Sequence, residues 1–216
     1  LRLNNQGKIM AAKIVDKDKR KKEIAYAALE LFAENGFEAT SISRIARAAG
    51  IGKGTVYEYF KSKDEIIAVS IMTWVELMVS EAKSDIESID DPIDRLQFFI
   101  QATMESFMSD ERHIKTAISI FQVILTKMDT FTHHEAMYEA FSKMGQTIID
   151  IVMDGHKRGV FHIQDEEEAR MIAINLMAFL DGIFLHYLIT GKRFDLMEQV
   201  NHYMKYLLEA NLRVRM

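Results

Sequence analysis

No cysteine occurs among the 216 residues of the sequence. That removes disulfide cross-links, thiolate metal sites and cysteine nucleophiles together. One proline and ten glycines are too few for a loop-rich all-β chain or a collagen-like one. No uninterrupted apolar run reaches about 18 residues, which predicts no membrane span. The N-terminal segment is polar and lysine-rich without an apolar core, so no signal peptide and a cytoplasmic protein are expected. Met10-Ala11 reads as the natural start, with residues 1–9 upstream of it. No Walker loop, no Ser–His–Asp signature and no convincing carboxylate pair is found, so an enzyme is not expected.

Apolar residues make up 49% of the chain, enough to bury a core. Helix formers dominate, and 14 methionines add to them. The net charge of −5 argues mildly against nucleic acid, but its distribution argues the other way. Residues 1–66 carry 13 basic and 9 acidic side chains, whereas residues 67–216 carry 14 and 23. A basic first third on an acidic remainder suits a DNA-binding head on a body that does not bind DNA.

Residues 1–16 show no apolar period and read as a flexible arm. Over 17–35, Ile24, Ala28, Leu31 and Phe32 recur at helical spacing. Asn35-Gly36 closes that helix, with Gly36 at a left-handed cap. Thr40 or Ser41 opens a second helix, and Gly50 stops it. A third is predicted over about 53–60. Ser62 followed by Glu65 forms a capping box for a long fourth helix over about 63–88. Asp91-Pro92 opens a fifth, reaching about 109. One or two short helices cover 112–128, and 129–133 is a polar break. Another helix spans about 134–158 and is closed by Gly159. Asp165 with Glu168 starts a strongly apolar helix over 171–189, and Asp195 starts a last one reaching about 212. The prediction is an all-α chain of nine or ten helices. It divides into an arm at 1–16, a helix-turn-helix head at 17–64 and a helical effector-binding and dimerisation body at 65–216.

Residues 42–60 carry the functional argument. Two short helices joined by a glycine turn form a helix-turn-helix. Ala46 is the small residue where the helices cross, and Gly50 can take positive φ at the reversal. Ile51 and Val56 plug the space beneath. These types at these offsets form a joint constraint that an ordinary surface hairpin does not impose. The second helix of such a pair lies in the major groove. There Lys53, Thr55, Tyr57 and Tyr59 offer a cation and hydroxyls, and Gly52 and Gly54 allow close backbone approach. Lys63, Thr40 and Ser41 stand at helix N-termini, where N–H groups attract phosphate. Arg44 points outward, toward a base edge or a phosphate.

The stretch from Ile24 to Ile66 resembles the TetR family of bacterial regulators. The matching residues run Ala27-Ala28-x-x-Leu31-Phe32-x-x-x-Gly36-Phe37-x-x-Thr40-Ser41-Ile42-x-x-Ile45-Ala46-x-x-Ala49-Gly50-Ile51-Gly52-x-Gly54-Thr55-Val56-Tyr57-x-Tyr59-Phe60-x-x-Lys63-x-Glu65. The resemblance implies a homodimer on a palindromic operator of double-stranded DNA. It also implies a C-terminal ligand pocket and release of DNA by ligand. Phosphate contacts would fall to Thr40, Ser41, Tyr57, Tyr59 and Lys63, and base-edge contacts to Arg44, Lys53 and Thr55. Lys21 matches a basic phosphate-contact position in the first helix. Glu58, inside the recognition helix, departs from this pattern. It must point away from phosphate or accept from a cytosine amino group.

In the body, the helix over 171–189 is apolar nearly all round, so burial on most sides is expected. With the amphipathic last helix it would pair with a second copy as a four-helix bundle. The expected interface residues are Phe179, Asp181, Gly182, Leu185, Tyr203 and Leu207. Asp181 is read as a buried carboxylate in need of a partner. Large soft side chains crowd the body, among them Trp74, Met78, Phe98, Phe99, Met104, Phe107, Met108, Phe121, Phe131 and Met177. They suit a pocket for a small apolar or aromatic effector, and equally a plain core. The histidines show no His-Glu-x-x-His spacing, so neither metal nor cofactor is expected. Three alternatives stay open: an architectural DNA binder without an effector, a helical small-molecule carrier or enzyme, and a dimerisation scaffold.

Overall fold

A computed structural model describes residues 16–127 and 134–209. Nine helices build these residues: α1 (Lys17–Asn35), α2 (Ile42–Ala48), α3 (Lys53–Tyr59), α4 (Lys63–Ser88), α5 (Pro92–Met108), α6 (Glu111–Lys127), α7 (His134–Lys157), α8 (Glu166–Ile189) and α9 (Leu196–Leu207). Six of them start at a side chain that accepts first-turn N–H groups: Asp16, Ser41, Ser62, Asp91, Asp165 and Asp195. Ser41, not Thr40, caps α2. At α4 and α8 the Glu three residues on folds back, Glu65 to the Lys61 N–H at 2.7 Å and Glu168 to the Gln164 N–H at 2.5 Å. Residues 111–127, open between one helix and two from the sequence, form one. The expected extension of the last helix beyond 209 and the break at 129–133 fall mainly outside the described residues.

Gly36 differs from the left-handed cap read from the sequence. It holds φ 78° and ψ 158°, positive φ with an extended ψ. Only glycine occupies that region without strain. This lets the chain leave α1 extended and fold the 36–40 turn back on the helix.

The apolar side of α1 (Ile24, Ala25, Ala28, Leu29, Phe32) packs on α4 and α6. Two buried hydroxyls reinforce these crossings. Ser70 on α4 lies 2.7 Å from the Ala25 carbonyl, and Ser119 on α6 donates to the Phe32 carbonyl at 3.0 Å. In addition α4 packs against α5 and α7, α7 against α8, and α9 against α5 and α8. The first helix of the head therefore rests directly on the body. Where α7 ends, a Cβ on Gly155 would stand 2.2 Å from the buried Phe161 ring, so the close approach requires glycine.

In the single chain α8 is covered on one side. One chain fully buries the stripe Ala169, Ala173, Leu176, Leu180 and Phe184, because α7 and α9 pack along that side and Phe184 reaches the rings of Phe107 on α5 and Phe121 on α6. Met171, Ile174 and Ile189 stand 51%, 67% and 73% exposed. By length and composition α8 is also apolar enough to cross a membrane, which the absence of a long apolar run did not anticipate. One helix of this kind does not establish a span, since the core helix of a soluble protein passes the same test of length and composition.

Candidate nucleic-acid interface

α2 and α3 meet through a turn held by backbone hydrogen bonds. The Ile51 N–H donates to the Ala46 carbonyl at 2.9 Å and the Gly50 N–H to the Arg47 carbonyl at 3.1 Å. Gly50 takes φ 66° to close this motif. Ile45, Ala46 and Val56 are buried beneath the pair, with Phe60 just after α3. The small residue at the crossing and the branched plug are where the sequence put them.

The outer face of α3 is open. Lys53, Gly54, Tyr57 and Glu58 are exposed, and Lys53 has no described partner. Gly52 precedes the helix as its N-cap, also exposed, while Thr55 and Tyr59 are half-buried. A Cβ on Gly54 would meet nothing within 4 Å, so nothing in this chain requires glycine there. Glu58 stands on the solvent side of the helix and not in the core. Ser41 accepts the Arg44 N–H at 3.3 Å, and Arg44 itself is exposed.

Thr40 is a correction. It is 1% exposed, and its hydroxyl donates to the Leu31 and Gly36 carbonyls at 3.2 and 2.8 Å. Because the 36–40 turn folds onto α1, this side chain anchors the turn and does not face a phosphate. Lys21 and Lys63 are also engaged within the head. Lys21 pairs with Glu65 at 2.9 Å and lies 5.1 Å over the Phe60 ring. The Lys63 ammonium donates to the Phe37 and Glu38 carbonyls at 2.8 and 3.3 Å and sits 4.3 Å over the Phe37 ring. Both cations brace α4 against earlier parts of the head. Two residues were missed. Arg47 is exposed three positions after Arg44 on α2, a helical spacing legible in advance. Asn35 bonds Arg44, which no local pattern announces.

In the body, Trp74, Phe107 and Phe121 do come together. Trp74 meets Phe107 edge-on at 5.2 Å, and Phe184, which the sequence did not single out, joins Phe107 at 5.6 Å and Phe121 at 6.4 Å. Phe184 lies two helical turns after Met177 on α8, a spacing that could have singled it out. Phe99 and Met104 are fully buried core. Met177 packs at the α7–α8 crossing, its Sδ 3.5 Å from a Cβ placed on Gly145. Met108 lines a separate outer pocket of about 370 Å³ with Tyr187 and Phe194. The Met78 side chain and Phe131 lie outside the described residues.

Of the expected interface residues, Phe179 stacks on Tyr203 at 3.9 Å, joining α8 to α9 within the chain. Leu185 and Leu207 are half-buried, and Gly182 is exposed. Asp181 is exposed on the single chain, so burial of this carboxylate requires a second copy over the face it stands on. Its apolar surroundings still push its carboxyl up to about 6 through desolvation.

Comparison with known proteins agrees with this geometry. Residues 24–69 match the model of bacterial regulatory proteins of the tetR family. The HTH-type transcriptional repressor KstR2 of Mycobacterium tuberculosis is 24% identical over 142 residues, covering 66% of this chain and 69% of the relative. The fatty acid metabolism regulator protein of Bacillus subtilis is 22% identical over 196 residues, covering 90% and 97%. The crystal structure of the transcriptional regulator FadR from Bacillus subtilis in complex with stearoyl-CoA shares the fold, with a TM-score of 0.66 and 21% identity over 87% of this chain and 97% of that one. The head match, the helix order and the likeness to these regulators along most of the chain agree: residues 24–69 form a head of the tetR-family type, and the whole chain is similar to HTH-type transcriptional regulators.

Proposed function

We propose that the protein is a ligand-responsive transcriptional repressor that binds a palindromic operator as a homodimer in the cytoplasm. The observation that carries this reading is the helix-turn-helix, whose second helix leaves Lys53, Gly54 and Tyr57 open to a partner. In this reading Arg44, Lys53 and Thr55 reach base edges, while Ser41, Tyr57 and Tyr59 hold phosphates. Gly52 and Gly54 let the backbone close on the duplex. Lys21 and Lys63 reach phosphate only by exchanging their present partners, so they act first as braces.

The outward face of α8 supports the homodimer. Met171, Ile174, Ala178, Asp181, Gly182, Leu185 and Ile189 follow one another at helical spacing along it. A second copy would cover that face, with Tyr203 and Leu207 of α9 beside it. The aromatic cluster around Trp74, Phe107, Phe121 and Phe184 favours a small apolar or aromatic effector. The FadR structure with stearoyl-CoA makes apolar ligands the first to screen. Ligand would act by binding one head arrangement better than another. A tilt of α4 would move two recognition helices away from the roughly 34–36 Å separation that one DNA turn demands.

Selection from random-sequence DNA at two salt concentrations tests this. The expected result is an enriched palindrome bound with steep salt dependence. Salt-sensitive binding without enrichment would replace it with the architectural reading. Absence of DNA binding at low salt would overturn both.

A further inference from the structure

We propose that Asn35 is a positioning residue for sequence reading, holding the Arg44 guanidinium in the orientation from which it meets a guanine edge. The inference rests on the reading of α2 and α3 as the DNA-contacting pair.

Arg44 is exposed, and an exposed arginine samples many rotamers whose freedom is lost on binding. Here both its ends are tied to the corner between α1 and α2. Its backbone N–H donates to Ser41 Oγ at 3.3 Å. Its Nη2 donates to Asn35 Oδ1 at 2.9 Å. Asn35 is in turn fixed. It is the last residue of α1, half-buried, and its Nδ2 donates to the Leu31 carbonyl at 3.1 Å. That carbonyl also accepts from the buried Thr40 hydroxyl at 3.2 Å. A continuous hydrogen-bonded path thus runs from the interior of the head, through Leu31 and Asn35, to an arginine at its surface.

The chemistry at position 35 suits this task. An amide oxygen orients a guanidinium without neutralising it, whereas a carboxylate would form an ion pair that competes with DNA. A guanidinium has five N–H donors. Asn35 engages one of them, and the others have no described partner. Two suffice for the bidentate contact to guanine O6 and N7.

The test uses the full chain and an operator obtained by selection. Operator affinity, random-DNA affinity, salt slope and base preference are measured for wild type, Asn35→Ala, Arg44→Ala and the double variant. Asn35→Ala is expected to lower operator affinity about fivefold, the weight of one net hydrogen bond. It should also flatten base preference at one position per half-site and leave random-DNA affinity and salt slope unchanged. In the Arg44→Ala background its effect should vanish. Asn35→Asp retains the side-chain size and the acceptor toward Arg44 while losing the donation to the Leu31 carbonyl, so it keeps the test open if the alanine variant folds poorly. It should weaken operator binding by ion-pairing Arg44. Additive effects in the double variant, or unchanged or tighter operator binding by Asn35→Ala while Arg44→Ala weakens it, would overturn the inference. No effect of Arg44→Ala at all would instead remove the role given to Arg44, and the inference with it.

Discussion

Gly54 is a glycine that its own chain does not need. A Cβ there meets nothing within 4 Å, and the backbone is ordinary helix. Glycine in a helix costs about 0.5–1 kcal/mol relative to alanine. Gly54→Ala should therefore raise the thermal midpoint of the protein and weaken operator binding, by denaturation and by titration against the selected operator. Unchanged operator affinity would show that no DNA backbone approaches at that point. Asp181 supplies a second expectation. Desolvation pushes its carboxyl up to about 6, above its ordinary 3.8. Well below 3.8 it is protonated in folded and unfolded chains alike, and it carries no penalty. As pH rises toward 6 the unfolded chain ionises first, so the penalty grows and is complete above that value. Asp181→Asn should thus raise the thermal midpoint near neutral pH and not well below pH 3.8. An equal gain at both would assign the effect to packing. Residue types on α3 were readable in advance, but the burial of Thr40 was not. A threonine before a helix suits a cap, a phosphate contact and a buried anchor equally, and only the fold of the 36–40 turn separates them.

At the scale of elements, α4 joins head to body through charge as well as apolar packing. Glu76 on α4 accepts from Lys22 of α1 at 2.6 Å and from Lys143 of α7 at 2.5 Å. Hydrogen bonds from Lys143 first, and then from Lys22, hold its carboxyl below the usual glutamate value. This contribution is present above the ordinary glutamate pKa and is lost as pH falls through the lowered one. Glu76→Gln should lower stability near neutral pH by about 1 kcal/mol or less, since the pair is partly exposed. The difference should fade well below the ordinary glutamate range, as followed by denaturant unfolding against pH. A constant difference across that range would mean that the charge is irrelevant. The helices themselves were legible because caps, glycine stops and apolar spacing are properties of neighbouring residues. The pairing of Lys22, Glu76 and Lys143 was not, because it spans three helices.

For the whole molecule, the central expectation concerns the outward face of α8. Ile174 is 67% exposed on one chain and lies on that face. Ile174→Glu should leave the fold of the single chain intact, convert a dimer to monomers in sedimentation, and lower operator affinity far more than random-DNA affinity. A dimer that survives the substitution would direct the search for the interface to another face.

The sequence was enough to locate nearly every helix and to recognise the turn between α2 and α3, because those signals lie within a few residues of one another. It was also enough to mark α8 as needing cover. It did not say which side of α8 its own chain covers, nor that Lys21, Thr40 and Lys63 are held inside the head. Nor did it show that Asn35 grips Arg44 or that Phe184 completes the aromatic cluster. Each of these depends on side chains brought together from separate helices or across a turn, as Ser119 is brought to the Phe32 carbonyl. Periodicity records which residues share a face of one helix, and it carries no information about which helix that face will meet.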